Sequence, residues 1–195
     1  MRKDRLLAFS DGVFAIIITI MVLELKPPHE ATWSGLMAVS PVFLSYVLSF
    51  VYVAIYWNNH HHMLEAVQRI NGATLWANMF LLFWLSLVPF ATAWMGETHF
   101  ATLPTALYGV TLLMPAIGYS ILQRVLIAAH EDNATLARAV GRDVKGIASL
   151  LLYVGGIAIA LYNPWLSLAL YALVAMIWLV PDPRIEREVA DDAES

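Results

Sequence analysis

Arg5-Leu-Leu-Ala-Phe9-Ser10-Asp11-Gly12-Val-Phe-Ala-Ile16-Ile-Ile-Thr19-Ile20-Met-Val-Leu23-Glu24 is the stretch that decides the fold. From Gly12 to Leu23 it carries no charge. As an α-helix it rises about 1.5 Å per residue, so with its flanks it approaches the roughly 30 Å of a bilayer's hydrocarbon layer. It begins with an ionisable and polar cluster and ends with one acid. A cleaved signal peptide is a poor match, because there is no small-residue cleavage site and Asp11 and Glu24 do not suit an h-region. On a helical wheel of about 100° per residue, Phe9, Gly12, Ile16, Ile20 and Leu23 fall within about 40° of one direction, and Thr19 about 60° from it. Ser10 and Asp11 point elsewhere. From the wheel alone, that stripe reads first as an ordinary apolar face against lipid or a neighbouring helix.

The rest of the chain has the same character. It is 60% hydrophobic and only 13% charged, with a mean hydropathy of +0.68. A soluble domain carries about 25% charged residues, so the composition predicts an all-α, polytopic membrane protein. Apolar segments run over roughly 6–25, 34–57, 73–95, 101–123, 145–162 and 165–181, and predict six transmembrane helices. The expected organisation is a transmembrane domain over 1–181 and an acidic, disordered cytoplasmic tail over 182–195. The breaks are Lys26 to Glu30, Asn58 to His62 with Glu65 to Asn71, the turn Gly96 to His99, the loop His130 to Lys145, and Asn163-Pro164.

With no cysteine in the chain, disulfides and thiolate metal sites are excluded. The scattered basic residues form no nucleic-acid patch. They do set an orientation. With both termini cytoplasmic, Arg2, Lys3, Arg5, Arg69, Arg124, Arg138, Arg142, Lys145, Arg184 and Arg187 all fall inside, and only Lys26 falls outside. Trp33, Trp57, Trp94 and Trp165 sit near predicted helix ends, as interfacial anchors do.

This topology brings Arg5, Ser10 and Asp11, Asn58 to His62, and Asn71 and Asn78 to one membrane depth. Polar groups in lipid must find partners, so an interhelical hydrogen-bond cluster is expected there. The bland reading is that some of His60, His61 and His62 are simply solvated. Adjacent histidines diverge around a helix, whereas metal ligands need i,i+3 or i,i+4 spacing, so neither a metal site nor an enzyme is predicted.

Arg5-xxx-Phe9-Ser10-Asp11 resembles the R-x-x-x-F-S-D signature of the transmembrane protein 175 family of potassium channels. Tyr56-Trp57-Asn58-Asn59-His60-His61-His62, Trp76-Ala77-Asn78 and Leu85 to Thr92 are similar to the family as well. The likeness is strong over 5–97 and diffuse, mostly in hydropathy, from 100 to about 180. It implies a single-repeat prokaryotic form, a homotetramer in the cell membrane whose first helix lines a central pore. It also implies a hydrophobic pore constriction at Ile16, with Ile20 and Leu23 further outward and Thr19 beside them. Arg5, Phe9, Ser10 and Asp11 would then belong to a structural polar cluster, with His60, His61, His62, Asn78 and Trp84 as candidate partners. The sequence does not choose among the histidines. The expected function is passive conduction of K⁺ and other monovalent cations, with no cofactor. The alternative is a secondary, ion-coupled transporter, for which the best points are Pro89 and Pro115 interrupting the third and fourth helices. No segment has an ionisable group at its centre, which weighs against it. The Thr105 to Val110 echo of a carbonyl filter lies mid-helix and in the wrong order.

Overall fold

The computed structural model describes residues 3–67, 70–129 and 144–179. The tail over 182–195, Arg69, Arg138, Arg142, Arg184, Arg187 and most of the loop from His130 lie outside the described residues. What is described is helical: α1 (Lys3–Leu23), α2 (Trp33–Ala38), α3 (Ser40–Glu65), α4 (Gly72–Ser86), α5 (Val88–Glu97), α6 (Thr102–Ala128), α7 (Val144–Ala160) and α8 (Pro164–Leu179). Lys3–Leu23, Ser40–Glu65, Gly72–Glu97 and Thr102–Ala128 are each long and apolar enough to cross a membrane. Val144–Ala160 and Pro164–Leu179 are shorter apolar helices.

The boundaries differ from the sequence reading in three places, each for a physical reason. The segment expected over 34–57 is divided. Thr32 caps the short α2, its hydroxyl accepting from the Gly35 amide at 3.1 Å. The spanning helix then restarts at Ser40 with a proline in its first turn, where a missing N–H costs nothing. It runs on through Asn58 to His62 as far as Glu65, because polar side chains at a membrane boundary do not interrupt backbone hydrogen bonding.

The third segment is broken between α4 and α5 at Leu87, two residues ahead of Pro89. A proline there removes a backbone donor and crowds the preceding turn. The predicted tight turn also moves. Gly96 is still helical, and a Cβ on it would sit 2.7 Å from the Val42 Cα, so the glycine permits close packing of α5 on α3. The left-handed residues are His99 (φ 52°) and Phe100 (φ 60°). The Phe100 amide reaches back to the Met95 carbonyl at 2.9 Å and ends the helix.

α1 packs on α3, α4 and α5, while α6 packs on α4, α5, α7 and α8. In the second group, shape does the holding. A Cβ on Gly109 of α6 would lie 2.0 Å from the Tyr171 hydroxyl oxygen, and one on Gly156 of α7 would lie 2.5 Å from the same ring. Two glycines thus open a slot that the α8 tyrosine fills. The core is one cluster running from Leu6, Phe14 and Ile17 through Leu81 and Leu85 to Tyr153 and Tyr171.

Candidate functional site

α1 presents two faces. Leu6, Ser10, Phe14, Ile17 and Met21 recur every three or four residues, and each is no more than 3% exposed. This spacing makes one continuous helical stripe, and it is buried against the rest of the chain. The opposite stripe is bare: Ile16 is 59% and Leu23 73% exposed, and Phe9, Gly12, Thr19 and Ile20 are exposed with them. Thr19 returns its hydroxyl proton to the Ala15 carbonyl at 2.8 Å, which leaves oxygen lone pairs on the exposed side.

The buried stripe carries one polar group, and the structure ties it directly to α4 and, through Asn78, to α3. Asn78 of α4 donates from Nδ2 to the Ser10 Oγ at 3.1 Å. The Ser10 hydroxyl donates to the Leu6 carbonyl at 2.9 Å. The Asn78 Oδ1 lies 2.7 Å from the His60 Nε2 of α3. With the amide oxygen facing it, His60 donates from Nε2. All three side chains are fully buried, and Phe14 lies against the imidazole with ring centroids 5.6 Å apart. The helix that carries Asn78 is itself capped by Asn71, which accepts from the Thr74 amide at 2.9 Å. This knot fixes how α1 is rotated against α3 and α4. Turning the helix by even one residue would bury Asp11 or strand Asn78.

The other expected members lie elsewhere. Asp11 accepts from the Trp57 indole Nε1 at 3.0 Å on a partly exposed surface, separate from the knot. His61 stacks on the same Trp57, centroids 5.8 Å apart, and pairs with Glu65 at 3.3 Å. Lys3 adds a bond to the Glu65 carbonyl at 2.8 Å. His62 is exposed, touching only the edge of His61 at 5.6 Å among the ring contacts of the described residues.

Arg5 is exposed, with no bond to any of these among the described residues. Phe9 stands on the bare stripe, about 20° from Ile16 around the helix, and so cannot join the knot. Trp84 is six residues past Asn78, about 9 Å further along α4 and turned to another side. Its indole Nε1 is buried without a partner among the described residues, edge-on to Phe80 and Phe83. Trp57 is the residue that sequence reasoning passed over. Its place at a helix end suggested an interfacial anchor, but it also sits four residues before His61 and at the depth of Asp11.

The described residues contain no group of three or more histidine, acidic or cysteine side chains that could hold a metal ion. The arrangement offers an apolar helix face with one hydroxyl, locked in rotation by a buried polar knot.

Residues 5–89 match the family described as endosomal/lysosomal potassium channel TMEM175. Over 192 residues the chain is 52% identical to a potassium channel of Chryseobacterium sp. (strain P1-3), covering 98% of this chain and all of that one. It is 32% identical over 101 residues to the endosomal/lysosomal proton channel TMEM175 of Homo sapiens, covering 46% of this chain and 20% of that one. The fold superposes with a TM-score of 0.77 on the crystal structure of a lysosomal potassium-selective channel TMEM175 homolog from Chamaesiphon minutus. That match is at 29% identity and covers 91% of this chain and 96% of the other.

Proposed function

The chain belongs to the TMEM175 potassium channel family, and from that premise we propose that it is a passive potassium-permeable cation channel built from four copies of the chain. It is a multi-pass membrane protein. In the proposed assembly all six apolar segments cross the cell membrane of a prokaryote, α7 and α8 included, and both termini are cytoplasmic. Residues 1–181 form the channel and 182–195 a cytoplasmic tail. The α1 helices surround the axis, with Ile16 at the narrowest point and Ile20, Leu23 and Thr19 along the same path.

The division of α1 into a fully buried stripe and a bare one is the observation that carries this reading. The buried polar knot holds the rotation of α1, as a helix whose bare face meets three copies of itself requires. A ring of isoleucines closes a pore by expelling water, because an apolar throat a few ångströms wide cannot hydrate an ion. Small dilation readmits water and cations. Thr19, with its lone pairs free, supplies polar oxygen just beyond the constriction. In the sequence, Lys26 is the one lysine or arginine outside the loops and termini assigned to the cytoplasm, which supports the orientation.

Ile16→Asn in reconstituted liposomes tests the constriction. Polar side chains there hold water in the throat, so K⁺ flux rises about tenfold, equivalent to a barrier lower by roughly 1.4 kcal/mol. Na⁺ flux rises by more, and discrimination falls. A pH-sensitive dye read in the same vesicles separates K⁺ from H⁺ movement. Flux that is unchanged by Ile16→Asn removes Ile16 from the pore.

A further inference from the structure

Glu24 follows Leu23 directly and stands exposed at the end of α1. Its amide still bonds to the Ile20 carbonyl at 3.2 Å, so the helical trace continues through it. On the same wheel it falls about 80° from Ile16, beyond the edge of the bare stripe, so it joins the stripe's outer end by depth along the helix and not by angle. It is exposed, and its carboxylate meets no cation among the described residues.

Its position is unfavourable for the fold. The C-terminal end of a helix carries partial negative charge from its free carbonyls and ordinarily attracts lysine or arginine. The last turn of α1 has no basic residue, and the chain places an acid there instead. The nearby base is turned away as well. Lys26 Nζ lies 3.4 Å from the Glu97 Oε1 at the end of α5, where the pair is exposed to solvent. The negative helix end and the Glu24 carboxylate therefore add, and Lys26, the nearby cation among the described residues, is held off to the side.

We propose that Glu24 is a cation-collecting residue at the pore mouth, raising local K⁺ next to Leu23 and so setting the rate of ion entry. The assignment rests on the pore reading above. Around an axis, four such ends place four carboxylates and four helix termini at one opening. Charge of one sign at a narrow mouth focuses the field and concentrates the counter-ion. The pairing of Lys26 with Glu97 keeps that charge uncompensated.

Salt separates this effect from a steric one. The screening length is roughly 30 Å at 0.01 M salt and 3 Å at 1 M. In planar bilayers holding the full chain, Glu24→Gln should lower K⁺ conductance about threefold at 0.01 M KCl and leave it equal at 1 M. Glu97→Gln, which frees Lys26, should act in the same direction but more weakly. The chain has no cysteine, so Glu24→Cys adds one thiol per subunit to an already assembled channel. Attaching a sulfonatoethyl group to that thiol should restore low-salt conductance, and attaching a trimethylammonium group should lower it further. Equal conductance of Glu24→Gln and the parent at 0.01 M overturns the proposal, as does an identical response to the two thiol reagents. If Ile16→Asn raises conductance while charge at position 24 has no effect, Glu24 loses its role and the pore reading stands. If neither position changes conductance, the pore reading itself fails.

Discussion

The two faces of α1 share a backbone and an amide ladder, yet they differ in what a substitution there would disturb. The buried face ties the helix to α3 and α4 through Ser10, Asn78 and His60, three fully buried side chains linked by hydrogen bonds of 2.7 and 3.1 Å. The bare face carries Ile16, Ile20 and Leu23, which no side chain among the described residues covers. On the proposed pore reading, orientation and permeation are separable. One face sets the angle of the helix, and the other would use it. Substitutions on the first should act on assembly, and substitutions on the second on conduction.

The largest effect is expected on the buried side. Asn78→Ala removes the partner of the His60 Nε2 and one of the two partners of Ser10, and leaves the buried imidazole nitrogen unpaired. The cost is about 1–3 kcal/mol for each orphaned group. Thermal unfolding in detergent, followed with size-exclusion chromatography, should show early loss of the oligomer, with flux falling in step with folded protein. Asn78→Ala protein that is as stable as the parent would remove the knot's structural role.

Asp11 and Trp57 should show a smaller effect of the same kind. Either Asp11→Ala or Trp57→Phe deletes the 3.0 Å bond and should cost about 1 kcal/mol, since the pair is partly exposed. The double variant should cost little more than either single one. A double-mutant cycle on melting temperature reads that coupling, and strict additivity would mean the two side chains do not interact. Flux per folded oligomer should change less than stability does.

The smallest effect is expected on the bare face. Thr19→Val keeps the shape and loses the hydroxyl, whose proton already returns to its own helix. Stability should move by less than about 0.5 kcal/mol, as for a surface position. The K⁺/Na⁺ flux ratio should fall modestly, measurable by ion substitution in vesicles. A large change in melting temperature with an intact ratio would place Thr19 on the wrong side of the comparison.

The sequence carried some of this plainly. Long uncharged runs marked the helices, and polar residues recurring at one depth marked where α1, α3 and α4 would bond. The choice of His60 was not legible, because three successive histidines differ by about 100° each and only the packing of Phe14 and Asn78 selects one. Trp57 was masked by its second plausible role at the membrane boundary. The short α2 was hidden because Trp33 to Ala38 is as apolar as the helix that follows. The cradle of Gly109 and Gly156 around Tyr171 could not be read at all, since a glycine's partner in close packing is decided by tertiary contact. The bare stripe was visible as a pattern. A wheel cannot say whether such a stripe meets lipid or ions.

That question has a direct measurement. In the cysteine-free chain, Ile16→Cys should be modified by a bulky water-soluble thiol reagent only when the pore is wet, and modification should abolish K⁺ current irreversibly. Leu151→Cys on α7, at least as exposed on the isolated subunit, should carry current unaffected by the same reagent. Current through the Ile16→Cys channel that survives complete modification, verified by mass, would contradict a pore on this face of α1.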